Sequence, residues 1–161
     1  MRQLFNDGWQ FLLSEPGSGI KEVRAWDKEA LCLPHDWAIG DVSRFYQTAD
    51  GWYFKSLDSA LIPAGHERVL LHFDGVYMDA LVFLNGEPIA EHHYGYTAFY
   101  ADLSGRLQPG ANEIAVQVRY RCPNSRWYSG AGIFRDVTLL SFRSAHLVPD
   151  AVAFLALQLP P

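Results

Sequence analysis

The sequence predicts an all-β domain built as a β-sandwich. Aromatic residues make up 14% of the chain, charged residues only 19%, and 13 glycines and 9 prolines supply frequent turns. Sheets favour aromatic and β-branched residues, and turn formers separate short strands. Short apolar or alternating segments follow one another without the helices of roughly 10–15 residues that an α/β fold would place between them.

Eight segments have the composition of strands. The segment 113–120 is typical, because Ile114, Val116 and Val118 fall on one face while Ala115 and Gln117 fall on the other. The segment 19–31 has mixed patterns and is predicted to be loop. The predicted strands are residues 9–13, 51–57, 68–73, 80–84, 87–92, 97–102, 113–120 and 136–142.

One hairpin is marked in the sequence. The segment 80–84 is apolar throughout, which indicates a strand covered on both faces. Asn85-Gly86 follows it and is the preferred pair for a two-residue type I′ turn. The return strand contains Pro88, which lacks an N–H group and therefore indicates an edge position in the sheet.

Length and charge restrict the possible functions. The 161 residues suit one domain, which we expect to span residues 1–148, followed by an apolar tail at 149–161. The net charge of −5 and the lack of a basic stripe argue against nucleic acid as a partner. The longest apolar run, 152–157, is too short to span a membrane, and the start of the chain lacks the pattern of a signal peptide. We therefore expect a cytoplasmic protein without a membrane partner.

Cysteine, histidine and acidic residues give no sign of a metal, a cofactor or a catalytic group. Cys32 and Cys122 match no zinc spacing and are predicted to be buried thiols. The pair His35-Asp36 is interpreted as a turn in which Asp36 accepts backbone N–H bonds, rather than as half of a catalytic triad. Acids near predicted turns, such as Asp74, Asp79 and Glu87, do not stand out as a catalytic pair.

The segment 122–137 has the densest mixture of chemical groups. It joins two predicted strands and combines amide, guanidinium and aromatic side chains, which together suit a hydroxyl-rich ligand. The alternative is that Trp127 and Tyr128 belong to the core and that Arg126 and Arg135 pair with acids. Asn124, in the loop after Pro123, is the residue that packing explains least.

Four sequence blocks give the chain a family resemblance. They are Phe5-Asn6-Asp7-Gly8-Trp9, Leu33-Pro34-His35-Asp36-Trp37, Phe73-Asp74-Gly75-Val76 with Leu84-Asn85-Gly86, and the run from Asn124 to Arg135. In order and spacing, residues 2–148 resemble the N-terminal sugar-binding domain of glycoside hydrolase family 2, which contains β-galactosidases and β-glucuronidases. The resemblance implies a jelly-roll β-sandwich similar to galactose-binding domains. It also implies that the two catalytic glutamates belong to a TIM barrel that this chain does not contain, so we expect the chain alone to be inactive.

The resemblance also implies one site residue. In β-galactosidases an asparagine of this loop helps to bind the substrate sugar in the active site of the barrel, and Asn124 occupies the matching place. Arg126, Trp127 and Tyr128 match the motif and are expected to hold the loop. The expected partner is a galactoside-type carbohydrate, bound by an accessory domain joined to a catalytic barrel. A free-standing carbohydrate-binding module and a purely structural interaction domain are the alternatives.

The tail departs from the family pattern. Residues 151–161 are apolar, and a truncated chain, a split gene or a frameshift would each explain the departure. Such a segment requires cover, so we expect it to pack on the sandwich, to pair with another copy in a homo-oligomer, or to be disordered.

Overall fold

The computed structural model describes residues 1–124, 130–153 and 155, and two antiparallel sheets form a sandwich. In chain order the strands are β1 (Arg2–Leu4), β2 (Trp9–Ser14), β3 (Glu29–Leu31), β4 (Ala49–Asp58), β5 (Arg68–Phe73), β6 (Ala80–Leu84), β7 (Glu87–His92), β8 (Phe99–Asp102), β9 (Ala111–Tyr120) and β10 (Val137–Phe142). One short α-helix, α1 (Ile20–Val23), and 3₁₀ turns at Val42–Arg44 and Ser59–Leu61 complete the described elements. The sheets have the strand orders β1-β10-β5-β8 and β3-β2-β4-β9-β6-β7. The predicted all-β sandwich is confirmed.

The main core lies between the two sheets. Ile114, Val116 and Val118 of β9 all point into it, as the alternation of that strand predicts. From the other sheet, Leu71 and Phe73 of β5 meet them and are completely buried. Burying each such side chain contributes about 1.5–3 kcal/mol to folding. This core makes the sandwich rigid enough to fix the loops at its ends.

A second, smaller core covers the outer face of the six-stranded sheet. Trp52 and Phe83 pack there with their ring centroids 5.8 Å apart, and Val23 of α1 is buried on top of them. Phe83 and the main-core residue Val82 are neighbours on β6, so that strand is covered on both faces as predicted. The segment between β2 and β4 therefore acts as a cover for this face.

The prediction of loop for residues 19–31 is wrong. The segment contains α1 and β3, and β3 pairs with β2 in the register Gln10↔Ala30. A helix of four residues is too short to show helical periodicity, and a strand of three residues too short to show alternation. The strand β1 was missed because it also has only three residues, and because all three are exposed and so show no alternation of buried and exposed positions. The eight predicted strands are all present, with ends within two residues of their predicted positions.

The predicted hairpin is confirmed. Asn85 and Gly86 both have positive φ, 52° and 89°, as a type I′ turn requires. The Asn85 side chain also accepts a hydrogen bond from the backbone N–H of Glu113 (2.9 Å), which ties the turn to β9. The return strand β7, with Pro88, lies at the edge of the six-stranded sheet, where a missing N–H costs least.

The prediction of two buried thiols is wrong. Cys32 is exposed and Cys122 is half-buried, and both are free. Cys32 directly follows β3, the edge strand of its sheet, so no neighbouring strand covers that side.

The tail lies partly outside the described residues, since Phe154 and residues 156–161 are not among them. Val152 and Leu155 are exposed. Before them, the Tyr100 hydroxyl donates to the Asp150 carboxylate, and burial together with this carboxylate raises the pKa of Tyr100 to about 12. The homo-oligomer stays a prediction. Among the residues that the structure describes, no helix is long and apolar enough to cross a membrane.

Candidate functional site

The loop that carries Asn124 starts at the end of β9, and hydrogen bonds fix its root. The Tyr120 hydroxyl donates to the carbonyl oxygen of Phe45 (2.7 Å). The Thr48 hydroxyl donates to the carbonyl oxygen of Cys122 (3.0 Å) and accepts from the N–H of the same residue (2.9 Å). The Cys122–Pro123 peptide bond is cis. The hydrogen bonds of Tyr120 and Thr48 hold the end of β9 and Cys122 against the segment 45–48.

A buried carboxylate holds the same root from the outer face of the sheet. Asp50 has no solvent exposure, and its Oδ2 atom accepts from the N–H of Gly17 and from Nε2 of Gln117, both at 3.0 Å. Its Oδ1 atom lies 2.5 Å from Nη1 of Arg121, which also donates to the carbonyl oxygen of Ala49 (3.1 Å). The pair Asp50–Arg121 thus joins β4 to the first residue after β9. Sequence reasoning missed this pair, because Asp50 lies just before the predicted strand 51–57 and its partner Arg121 is about 70 residues further along the chain.

Asn124 lies three residues beyond Arg121. Its side chain is exposed, and Nδ2 is 3.5 Å from the carbonyl oxygen of Arg121. The three motif residues expected to hold the loop, Arg126, Trp127 and Tyr128, lie outside the described residues. The sugar-contact role of Asn124 therefore stays a prediction. The structure adds that the Asn124 side chain is exposed at the start of the loop.

The returning segment of the loop, residues 130–133, lies between two other parts of the chain. On one side, the carbonyl oxygens of Ala131 and Ile133 accept from the N–H groups of Trp37 (3.0 Å) and His35 (2.8 Å). On the other side, Gly132 and Tyr77 exchange two backbone hydrogen bonds of 2.9 and 3.0 Å. These pairings bring together two of the sequence blocks that carry the family resemblance, although about 95 residues separate them in the chain.

Gly132 is required at this crossing. Its φ of 135° lies in a region that favours glycine, and a Cβ atom there would lie 2.6 Å from the carbonyl oxygen of His35 and would overlap the hydroxyl of Tyr53. The glycine therefore lets the loop return directly over the buried Tyr53 side chain.

A polar pair lies beneath the loop, in which Tyr53 is fully buried and His35 is half-buried. Nδ1 of His35 is 2.9 Å from the Tyr53 hydroxyl, which also accepts from the N–H of Ile133 at 3.4 Å. Burial lowers the pKa of His35 and raises that of Tyr53 well above its ordinary value. Both groups are therefore neutral near pH 7, and the hydrogen bond between the Tyr53 hydroxyl and Nδ1 of His35 joins two uncharged groups. Through its side-chain contact with Tyr53 and its backbone contact with Ile133, His35 helps to support the returning loop.

Asp36 behaves as predicted. Its Oδ1 atom accepts from the N–H of Ala38 at 3.0 Å, which closes a turn after the cis peptide bond Leu33–Pro34. The other acids singled out in the sequence have structural partners or lie in solvent. Asp74 pairs with His72 (3.0 Å) and Asp79 with His93 (3.1 Å), while Glu87 is exposed on the edge strand. Within residues 1–124, 130–153 and 155, no group of three or more metal-binding side chains occurs.

The family described as "Glycosyl hydrolases family 2, sugar binding domain" matches residues 36–142. The chain belongs to this family. It is 38% identical to β-galactosidase BoGH2A of Bacteroides ovatus and 31% identical to a β-glucuronidase of Bacteroides fragilis, over 91% and 85% of its length. It covers 19% and 20% of those relatives, so it spans about a fifth of their length.

A solved structure shows the same fold. A glycosyl hydrolase family 2 member from Bacteroides cellulosilyticus superposes with a TM-score of 0.74 and 34% identity over 88% of this chain and 21% of that one. The predicted jelly-roll sandwich is thereby confirmed. The relatives carry both β-galactosidase and β-glucuronidase names, so the galactoside preference stays a prediction.

Proposed function

We propose that this chain is the accessory, carbohydrate-binding domain of a β-galactosidase-like glycoside hydrolase, and that the Asn124 loop presents its amide to the substrate sugar. The observation that carries the proposal is the contrast between the loop root and Asn124. The root is fixed by Tyr120, Thr48 and Asp50, whereas Asn124 itself is exposed. An exposed amide on a rigid support can donate to and accept from sugar hydroxyls at a small entropic cost.

The hydrolytic step is assigned to a separate catalytic domain. Retaining hydrolysis needs two carboxyl groups about 5–5.5 Å apart in a cleft, one protonated to act as the general acid and the other ionised to act as the nucleophile. The acids near the turns serve the fold, since Asp74 and Asp79 pair with histidines and Asp36 closes a turn. We therefore expect the purified chain to release no aryl alcohol from an aryl β-galactoside. Turnover that disappears when a residue of this chain is mutated would contradict the assignment.

Binding to this chain can be tested by NMR. Galactose and lactose, each titrated into ¹⁵N-labelled protein, are expected to bind with a dissociation constant in the millimolar range, because a single loop face does not enclose a small ligand. The side-chain amide signals of Asn124 should shift, and Asn124→Ala should weaken the remaining shifts in the loop. Gln10→Ala is the matched control, since Gln10 is an exposed amide on β2, far along the sheet from this loop.

Three outcomes of that titration have different meanings. Shifts confined to the loop and sensitive to Asn124→Ala support the proposal. A dissociation constant in the low micromolar range would instead support a free-standing carbohydrate-binding module. Equal effects of Asn124→Ala and Gln10→Ala would show that the amide of Asn124 makes no sugar contact.

A further inference from the structure

An aromatic cluster lies on the loop between β7 and β8. The Tyr96 ring contacts two further rings of the cluster edge-on, Tyr94 with centroids 5.8 Å apart and Phe134 with centroids 6.4 Å apart. Tyr94 is 55% exposed, whereas Tyr96 and Phe134 are half-buried. We call these three residues the aromatic ledge. More than half of the Tyr94 side chain therefore stays in contact with water, beside two rings that are themselves partly exposed.

The ledge is held rigidly. Gly95 lies against Tyr77, and a Cβ atom there would overlap the Tyr77 ring, so the loop lies as close to the sandwich as a backbone can. Tyr77 is itself held by its two backbone hydrogen bonds to Gly132. Next to the ledge, Nδ1 of His93 lies 3.1 Å from Oδ1 of Asp79. A ligand that binds the ledge therefore does not have to order the loop first.

The ledge also has a polar border. The Arg135 guanidinium lies 5.2 Å from the centre of the Phe134 ring, and His93 directly precedes Tyr94 in the chain. A flat apolar face beside hydrogen-bonding groups matches a pyranose ring, which has one C–H-rich face and hydroxyls around its edge. The two carboxylates that contact the His93 ring, Asp79 at 3.1 Å and Glu91 at 3.6 Å, offset the positive charge of Arg135, which favours a neutral sugar over an anionic one.

We propose that the aromatic ledge is a second saccharide subsite, which binds a neutral hexose of an oligosaccharide other than the hexose that contacts Asn124. This inference rests on the proposed function, because it assumes a carbohydrate ligand for the domain. It adds a separate surface with its own chemistry: stacking on Tyr94 instead of amide hydrogen bonds.

The test uses this chain and a β-linked galacto-oligosaccharide longer than lactose. In ¹⁵N spectra the oligosaccharide is expected to shift the backbone signals of residues 93–97 and of Phe134. Tyr94→Ala is expected to weaken binding about three- to tenfold, the range expected for loss of one aromatic contact. Tyr94→Phe retains the ring and should keep most of the affinity. Trp26→Ala is the control, because Trp26 is a partly exposed aromatic residue on the cover of the outer face and should have no effect.

The two proposals fail in different ways. If Asn124→Ala changes nothing but Tyr94→Ala weakens binding, the ledge stands and the Asn124 contact does not. If the oligosaccharide does not bind, or if Tyr94→Ala has the same effect as Trp26→Ala, the ledge is not a saccharide subsite. Tighter binding of an acidic oligosaccharide than of the neutral one would also overturn the inference.

Discussion

Replacing Asp50 by alanine should destabilise the domain more than a typical single substitution. The change removes the carboxylate that accepts from the N–H of Gly17 and from Nε2 of Gln117, and it takes the anionic partner away from Arg121, which keeps its hydrogen bond to the carbonyl oxygen of Ala49. Breaking a buried ion pair by removing one partner costs about 3–5 kcal/mol. The Arg121 side chain is 43% exposed and can regain water, so we expect the lower end, about 3 kcal/mol.

Urea unfolding and thermal scans measure this loss. In a domain of this size, 1 kcal/mol corresponds to roughly 2–4 °C in the melting temperature, so a decrease of about 6–12 °C is expected. Glu87→Ala, an exposed carboxylate on the edge strand, is the control and should change the free energy of unfolding by less than about 0.5 kcal/mol.

A double-mutant cycle separates the ion pair from the other hydrogen bonds of Asp50. Asp50→Asn and Arg121→Gln, made singly and together, give the coupling energy between the two side chains. A loss below about 1 kcal/mol for Asp50→Ala, with no coupling in the cycle, would refute the argument that a buried charge fixes the loop root.

Three further predictions concern the loop and the thiols. In the folded protein the pKa of His35 lies below its unfolded value of about 6.5, so the unfolded chain binds more protons between the two pKa values. The contribution of His35 to the free energy of unfolding should therefore be complete above pH 6.5 and should be lost as the pH decreases through the folded pKa. Urea midpoints between pH 5 and 8 should show this pH dependence, and the same pH dependence in His35→Gln would contradict the lowered pKa of His35. Gly132→Ala should lower the melting temperature, because the new methyl group would overlap the carbonyl oxygen of His35 and the hydroxyl of Tyr53. Gly40→Ala is the control, since there is open space around Gly40. Equal melting temperatures of the two variants would show that the methyl group at position 132 causes no overlap. Cys32 should react with iodoacetamide in the native protein faster than Cys122, as mass spectrometry of peptides can show, and the reverse order would contradict the exposure of Cys32.

The strands that sequence predicts well have strong local signals. The alternation of β9 and the pair Asn85-Gly86 need no information from distant residues, because side-chain direction and turn geometry are local properties. By contrast, β1 and β3 contain three residues each and exist because neighbouring strands offer them hydrogen bonds. Local sequence patterns cannot reveal such strands, because hydrogen bonds to strands that are distant in the sequence stabilise them.

The candidate site was only partly predictable. The turn at Asp36 follows from local chemistry, and the structure confirms it. The pairs His35–Tyr53 and Asp50–Arg121 join residues that are distant in the chain, and only the order of strands in the sheet brings them together. Asn124 was predicted as a site residue because packing explains it least and because it matches the family motif, not because of any spacing of catalytic groups.

The burial of β4 on both faces affects how the sheet finds its alignment. Most strands are aligned by alternation, because a shift of one residue would place polar side chains in the core. In β4, Tyr53 points into the main core and Trp52 into the outer cluster, so a shifted strand would still bury aromatic rings on both sides. Two neighbouring residues distinguish the observed alignment of β4 from a shifted one. At Gly51 any Cβ atom would overlap the Trp37 ring, so no other residue of the strand fits there. The carboxylate of Asp50 has its partners on the outer face of the sheet. The missing side chain of Gly51 and the carboxylate of Asp50 therefore both disfavour a shifted alignment of β4.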